Sequence, residues 1–250
     1  MIKEFKQKLI SRNALGTFMK TSDPAFVEAA GYAGYDFVVL DMEHGPTNIT
    51  QMQNNIRAAQ ISGAAPIIRV STLNNTLISQ ALDIGAVGVQ IPQITCKEDA
   101  ELAVKSSKFY PLGERGVCGN VRAAKYSLIK KEDYFKRSNE TLVIIMIEGR
   151  KALDNIDEIL EVPNIDVIFI GPYDLSQSLE IPGQVNDQKV INTMRDIISK
   201  AQSKNIMTGT FTDNYKMLSI WKDVGVQYLT YGTDVGTFFE AAQKIKKHFI

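Results

Sequence analysis

Cysteine and histidine are scarce, with two of each in 250 residues. Cys96 and Cys118 stand in no metal-ligand spacing with each other or with His44 and His248, so both are expected to be free thiols, one near a helix start and one in a loop. Neither sign of charge is in excess: 28 Lys and Arg balance 28 Asp and Glu, for a formal net charge of 0. A chain so balanced has nothing to attract a polyphosphate backbone, and nucleic acid is excluded as a partner. No apolar run approaches the roughly 20 residues of a membrane span. The start, Met1-Ile2-Lys3-Glu4-Phe5-Lys6, has mixed charge and no apolar segment of signal-peptide length behind it. A cytoplasmic protein without a membrane partner is therefore expected. Gly-x-Gly-x-x-Gly after the first strand and Gly-x-x-x-x-Gly-Lys-Ser/Thr are both missing, which removes the dinucleotide and P-loop readings.

What is present suits a chain able to build a full core: 44% apolar and 22% charged residues. The clearest unit spans Leu142–Asp174. Leu142-Val143-Ile144-Ile145-Met146-Ile147 stops at Glu148, and Val167-Ile168-Phe169-Ile170 runs into Gly171-Pro172-Tyr173-Asp174-Leu175-Ser176. Both runs read as buried parallel strands, and Arg150 to Leu160 has the spacing of a crossover helix between them.

The same rhythm runs along the chain. Strands are expected at Ala14–Met19, Phe37–Leu40, Pro66–Ile68, Gly88–Pro92, Ile206–Phe211 and Tyr228–Gly232, in addition to the two above. Helices follow them, including Asp23-Pro24 to Ala33, Thr50–Ser62, Asn74–Ile84, Lys97–Ser107, Lys189–Ser203, Asp213–Val224 and Val235–Phe249. One long connection, Tyr110–Asn139, breaks the spacing and carries only a short helix near Lys131–Lys136. Eight strand-then-helix units point to a single (β/α)₈ TIM barrel over residues 1–250, since closure removes the exposed edges of an open sheet.

In such a barrel, functional groups gather at the C-terminal ends of the strands. The strand exits deliver Asp41, Glu43, His44, Arg69, Glu148 and Asp174. Taken alone, Glu148 could cap the next helix and Asp174 could make an Asx turn. Together, two carboxylates can hold a divalent cation through oxygen, and Arg69 adds positive charge where a carbonyl oxygen would be polarised. Such a pair stabilises an enolate. Backbone N–H groups around Tyr173 and Asp174 offer a cradle for a carboxylate, so a chelated 2-oxo acid such as pyruvate fits both needs. His44 is the available proton shuttle. None of these exits presents a lysine, which argues against Schiff-base chemistry. His248 lies in a last helix turn, where an imidazole suits the dipole, and is assigned no chemistry. Asp83, near a helix end, opposes the dipole and needs a compensating contact.

Ordered along the chain, Gly31-Tyr32-Ala33-Gly34-Tyr35-Asp36-Phe37, Asp41-Met42-Glu43-His44, Arg69, Gly113-Glu114-Arg115-Gly116-Val117, Ile147-Glu148 and Gly171-Pro172-Tyr173-Asp174-Leu175-Ser176 make a chain that resembles the HpcH/HpaI aldolase family, metal-dependent class II aldolases. The resemblance implies that Glu148 and Asp174 bind Mg²⁺, Mn²⁺ or Co²⁺. It further implies that Arg69 stabilises a pyruvate enolate, that His44 is the general base, and that Asp83 pairs with that histidine, often across a subunit boundary. Asp41 matches an acidic residue near the metal water. A homo-oligomer, typically a hexamer built from dimers with exchanged C-terminal helices, gives Val235–Ile250 a role in packing. Met146 stands where the family commonly has glutamine, and a thioether cannot donate amide hydrogen bonds.

The leading expectation is an aldolase that releases pyruvate and an aldehyde from a 4-hydroxy-2-oxo acid. The alternatives are a lyase acting on acyl-CoA thioesters and a non-catalytic binder of oxo acids or sugar acids. Specificity for the aldehyde is expected in the Tyr110–Asn139 connection, with a neighbouring subunit as a further contributor, rather than around the metal; Arg122 either holds a distal carboxylate or only anchors the loop, and Tyr126 closes an apolar side.

Overall fold

The computed structural model describes residues 1–249. Its order is α1 (Ile2–Ser11), β1 (Ala14–Met19), α2 (Pro24–Tyr32), β2 (Phe37–Asp41), α3 (Ile49–Ser62), β3 (Ala65–Arg69), α4 (Asn75–Asp83), β4 (Gly88–Ile91), α5 (Lys97–Ser107), α6 (Lys131–Ser138) and β5 (Leu142–Ile147). It continues with α7 (Arg150–Asp154), α8 (Ile156–Ile159), β6 (Val167–Ile170), α9 (Pro172–Ser178), α10 (Gln188–Ser203), β7 (Met207–Thr212), α11 (Tyr215–Val224), β8 (Tyr228–Thr233) and α12 (Asp234–Phe249). Eight parallel strands close in sequence order, β8 pairing back to β1. The expected TIM barrel is the fold.

Alternation along each strand divides the core. Val38 and Leu40, Ile68, Val143 and Ile145, and Ile168 and Ile170 point outward to the helices. Phe18, Phe37, Val39, Ile67, Ile144, Met146, Phe169 and Tyr228 fill the interior. The ring of Phe37 stacks on Tyr228 at 4.1 Å, and Phe5 of α1 closes the bottom 5.4 Å from Phe37. Gly16 is required there, because a Cβ would come within 2.4 Å of the Phe37 ring.

Extending the inward phase by one step places the functional side chains. Val39 leads to Asp41, Ile67 to Arg69, Met146 to Glu148, and Phe18 to Lys20. The helices are held in place locally: Asp23 and Asn74 cap α2 and α4, and Asn48 with Gln51 forms a capping box on α3.

Three expectations change. The helix expected over Arg150–Leu160 breaks at Asn155, whose side-chain amide donates to the Thr95 carbonyl at 2.9 Å. A helix not anticipated, α9, starts at Pro172 directly after Gly171. The Tyr110–Asn139 connection leaves a helix and enters a strand, so it packs beneath the barrel. Phe109, Ala124 and Tyr134 form their own small core there, and Lys108 Nζ donates to the carbonyls of Asn139 and Thr141, just before β5.

Candidate active site

A cavity of about 420 Å³ opens at the C-terminal mouth, lined by Phe18, Lys20, His44, Arg69, Met146, Phe169, Gly171, Pro172, Tyr173, Asp174, Phe211, Asp213 and Thr233. Side chains from the exits of β1, β2, β3, β6 and β7 meet here. Asp41 and Glu148 are buried behind this lining.

Arg69 is fixed from two sides. Its Nε and Nη2 donate to Asp41 Oδ1 and Oδ2 at 2.8 and 2.7 Å, and Nη1 lies 2.9 Å from Glu43 Oε2. The guanidinium also lies over the Phe18 ring, 4.8 Å from its centroid. A bidentate pair of this kind sets orientation as well as charge. Asp41 is fully buried, and burial alone would raise its carboxyl. Hydrogen bonds and charge from Arg69 and Lys20 outweigh that and hold it down to about 2. Lys20 Nζ donates to Asp41 Oδ2. The rim therefore does contain a lysine, contributed by the first strand, and it is ion-paired.

Across the mouth the balance is reversed. Burial pushes Glu148 up to about 7, and the negative charges of Asp174 and Glu43 add to that against the lowering effects of the Gln93 amide and Arg69. Only Oε1 of Glu148 takes a hydrogen bond among the described residues, from Gln93 N at 2.8 Å. A side chain at Gly171 would meet Glu148 Oε2 at 2.7 Å, so glycine keeps that oxygen clear. Glu43 is also raised, by burial first. Asp174 is exposed in the first turn of α9.

Below the cavity, Met146 accepts a hydrogen bond through Sδ from Gln90 Nε2 at 3.4 Å, and Tyr228 donates to Gln90 Oε1 at 3.2 Å. The thioether thus ends a chain of buried polar contacts and presents no donor to the cavity.

His44 lines the cavity with its side chain 63% exposed, and its nearest carboxylate is Glu43, with Nε2 to Oε2 at 3.9 Å. Asp83 does not reach it within the chain. Asp83 closes α4 at the other end of the barrel and pairs with buried Arg115 at 2.5 Å, which supplies the compensating contact its position needs. Arg122 also lies at that end. It donates to the Ile84 carbonyl at 3.0 Å and to Gln60 Oε1 at 2.7 Å. With Tyr126 it borders a separate cavity of about 360 Å³, beside residues that precede β4. Within one chain, neither Arg122 nor Tyr126 walls the site, because an α-to-β connection emerges beneath the strands.

Sequence reasoning missed Lys20, Asp213 and the role of Glu43. Asp213 Oδ2 accepts a 2.6 Å hydrogen bond from the Tyr173 hydroxyl, which burial and that carboxylate push up to about 12. Continued strand alternation would have found Lys20, two residues beyond the inward Phe18.

A barrel whose mouth joins a clamped arginine to paired carboxylates defines a class of α/β enzyme-like site, and the chain belongs to the HpcH/HpaI aldolase/citrate lyase family, whose model matches residues 14–241. It is 32% identical over 248 residues to 5-keto-4-deoxy-D-glucarate aldolase of Escherichia coli O9:H4 (strain HS), covering 98% of this chain and 96% of that one. A family protein from Burkholderia cenocepacia J2315 superposes with a TM-score of 0.92 at 27% identity, covering 98% of each chain. Citrate synthase SbnG superposes with a TM-score of 0.87 at 31% identity, covering 97% of each.

Proposed function

We propose that this chain is a divalent-metal-dependent aldolase acting on a 4-hydroxy-2-oxo acid through a pyruvate enolate, with an aldehyde as the other partner. The observation that carries this reading is the placement of Glu148 and Asp174 at one barrel mouth with an arginine already clamped by Asp41 and Glu43. The donor set fits a hard cation. Both groups offer oxygen, and Glu148 is buried beside other carboxylates with one oxygen unclaimed by protein donors. Among the described residues no group of three or more His, Cys, Asp and Glu could hold a metal, so water and substrate would complete the shell of Mg²⁺, Mn²⁺ or Co²⁺.

When bound, such an ion supplies Lewis acidity at the 2-oxo carbonyl. Arg69, held rigid by its two carboxylates, donates to the same oxygen and is worth most as the enolate charge develops. The N–H groups of Tyr173 and Asp174, in the first turn of α9, receive the substrate carboxylate. His44 takes the proton from the C4 hydroxyl in cleavage and returns it in the aldol direction. As the C3–C4 bond breaks, its electron pair becomes the enolate and the aldehyde departs. Metal-stripped protein should be inactive and regain turnover with Mg²⁺, Mn²⁺ or Co²⁺; full turnover in excess chelator would overturn the reading.

The likeness to citrate synthase SbnG favours one second reading, in which the enolate comes from an acyl-CoA thioester and a 2-oxo acid is the electrophile. Thioester-dependent consumption of an oxo acid, with no turnover of pyruvate and aldehydes, would select it.

A homo-oligomer, by resemblance a hexamer, accounts for α12. Phe238, Ile245 and Phe249 are 64%, 71% and 84% exposed, and Asp234 is the helix's only buried residue among those described. Such a face calls for a partner. Ile250, the last residue of the expected packing segment, lies outside the described residues. Replacing Phe238 and Ile245 by Glu should shift sedimentation to a smaller species, and Asp83 would meet a partner's His44 only in the intact assembly.

A further inference from the structure

We propose that the cavity beneath the barrel, at the end away from the mouth, binds a small organic oxyanion carrying two negative charges. The inference stands apart from the aldolase reading, because none of the residues that carry it lines the mouth of its own chain.

Charge is the first observation. The cavity has a volume of about 360 Å³, within the range of small-ligand sites. Arg115, Arg122, Lys125 and Arg137 line it, and no aspartate or glutamate does. Asp83, which is not part of the lining, answers one of these cations through its 2.5 Å pair with Arg115. Arg122 hydrogen-bonds only neutral acceptors, the Ile84 carbonyl and Gln60 Oε1. Burial first, and then the nearby charge of Arg57, hold its guanidinium below its ordinary value, and an anion would offset both. A Cβ at Gly85 would come within 2.7 Å of Arg122 Nη1, so glycine lets this guanidinium lie against the turn between α4 and β4. Lys125 and Arg137 are exposed and, among the described residues, without a carboxylate partner.

The second observation is a pair of orphaned donors. The Arg115 side chain is 1% exposed and Tyr134 is 2% exposed, and both line the cavity. Arg115 Nε and the Tyr134 hydroxyl have no hydrogen-bond partner among the described residues. Both side chains pack on one ring: the Arg115 guanidinium lies 4.7 Å from the Phe109 centroid, and Tyr134 meets Phe109 edge-on at 5.7 Å. Buried polar groups are nearly always paired, and a guanidinium N–H can be satisfied only by an acceptor. Burial raises the Tyr134 hydroxyl above its ordinary value, so it too keeps its proton and can donate.

Water could accept from both donors, but it would leave the charge of Arg122, Lys125 and Arg137 unanswered. An oxyanion does both. Two negative charges match three uncompensated cations better than one does. Leu82, Ala86, Val87 and Ile129 supply apolar wall for a carbon body. A phosphate monoester and a dicarboxylate share this chemistry. Either would bind away from the reacting centre and stabilise the folded chain, since the unfolded chain offers no such cluster.

The test titrates phenyl phosphate, succinate and the monoanion benzoate by calorimetry onto the intact protein with Mg²⁺, at constant ionic strength, with and without saturating pyruvate. At least one dianion should bind in both conditions and more tightly than benzoate, and it should raise the Tm. The tighter of the two tells a phosphate ester from a dicarboxylate. Y134F removes only the orphaned hydroxyl, and K125S/R137S changes only exposed side chains, so both should fold as wild type. The Kd of the tighter dianion should rise about 3- to 10-fold in Y134F and about 10-fold or more in K125S/R137S. Absence of binding by both dianions, equal binding of benzoate, displacement by pyruvate, or a Kd unchanged in both variants would each overturn the proposal.

Discussion

The two ends of the barrel carry similar residues in opposite circumstances. At the floor, charges are consumed by structure. Arg115 is buried against Asp83, and Lys108 is buried with two backbone carbonyls as acceptors and Asp166 3.9 Å away. At the mouth, Arg69 and Asp41 are equally well paired, but Glu148, Asp174 and Lys20 retain oxygens or donors that the protein does not use. Among the described residues the floor spends most of its charge on internal pairs, leaving Arg115 Nε and the Tyr134 hydroxyl without a hydrogen-bond partner beside its own cavity, whereas the mouth keeps unfilled coordination at Glu148, Asp174 and Lys20. This is the division expected of a barrel whose strand starts serve stability and whose strand ends serve chemistry.

The largest test of that contrast removes the mouth carboxylates. E148A or D174A should abolish metal binding by calorimetry and lower turnover by about 10³-fold or more, with the circular dichroism of a folded barrel retained. Unfolding of both variants would make these residues structural and erase the contrast. Next, R69A should lower kcat by roughly 10²- to 10³-fold with a smaller change in substrate binding, because the lost interaction strengthens in the transition state. A pure KM effect would reassign Arg69 to ground-state binding.

The two ends should also differ in the pH dependence of folding. Asp41 has a folded value of about 2, below its unfolded value, so its contribution of about 2–3 kcal/mol is complete above about pH 4 and lost as pH falls toward 2. Lys108 is depressed to about 8 by burial, with Asp166 opposing and Lys6 adding to the effect. Its folded state binds fewer protons than the unfolded chain between about pH 8 and 10.4, so stability should rise by about 2–3 kcal/mol across that window. Denaturant titrations of wild type, D41N and K108M would separate the two; a K108M profile retaining the alkaline rise would remove Lys108 as its source. The smallest effect is expected for R122A. With two hydrogen bonds at the floor, it should lose about 1–2 kcal/mol of stability and change the ratio of acidic to neutral aldehyde turnover less than about 2-fold. A selective loss for the acidic aldehyde would carry the floor of one subunit into another subunit's site.

Much of this was legible in the sequence because the barrel strands are compact β-branched runs and their polar exits fall at one rim. Arg69, His44, Glu148 and Asp174 were readable for that reason. Lys20 was not, although Gly16, Phe18 and Lys20 share a phase, because a lysine after a strand is ordinarily a solvated surface residue. Within one chain Arg122 lies at the floor and not at a substrate wall, because it belongs to the long, glycine-bearing connection. Its direction, from helix to strand, already dictated the floor. Asp83 obeys the same geometry, and its partnership with Arg115 joins two segments 32 residues apart, a contact no local pattern reveals. The break at Asn155 likewise depends on the Thr95 carbonyl, far away in sequence.

The central claim is that the mouth makes an enolate from pyruvate using Arg69 and a cation held by Glu148 and Asp174. Exchange of the pyruvate methyl protons for deuterium, followed by proton NMR without any aldehyde, isolates that step from the second substrate. The account predicts exchange in wild type with Mg²⁺, Mn²⁺ or Co²⁺, none in excess chelator, and loss of about 10²-fold or more in R69A. Exchange at the wild-type rate in metal-stripped protein or in R69A would contradict it.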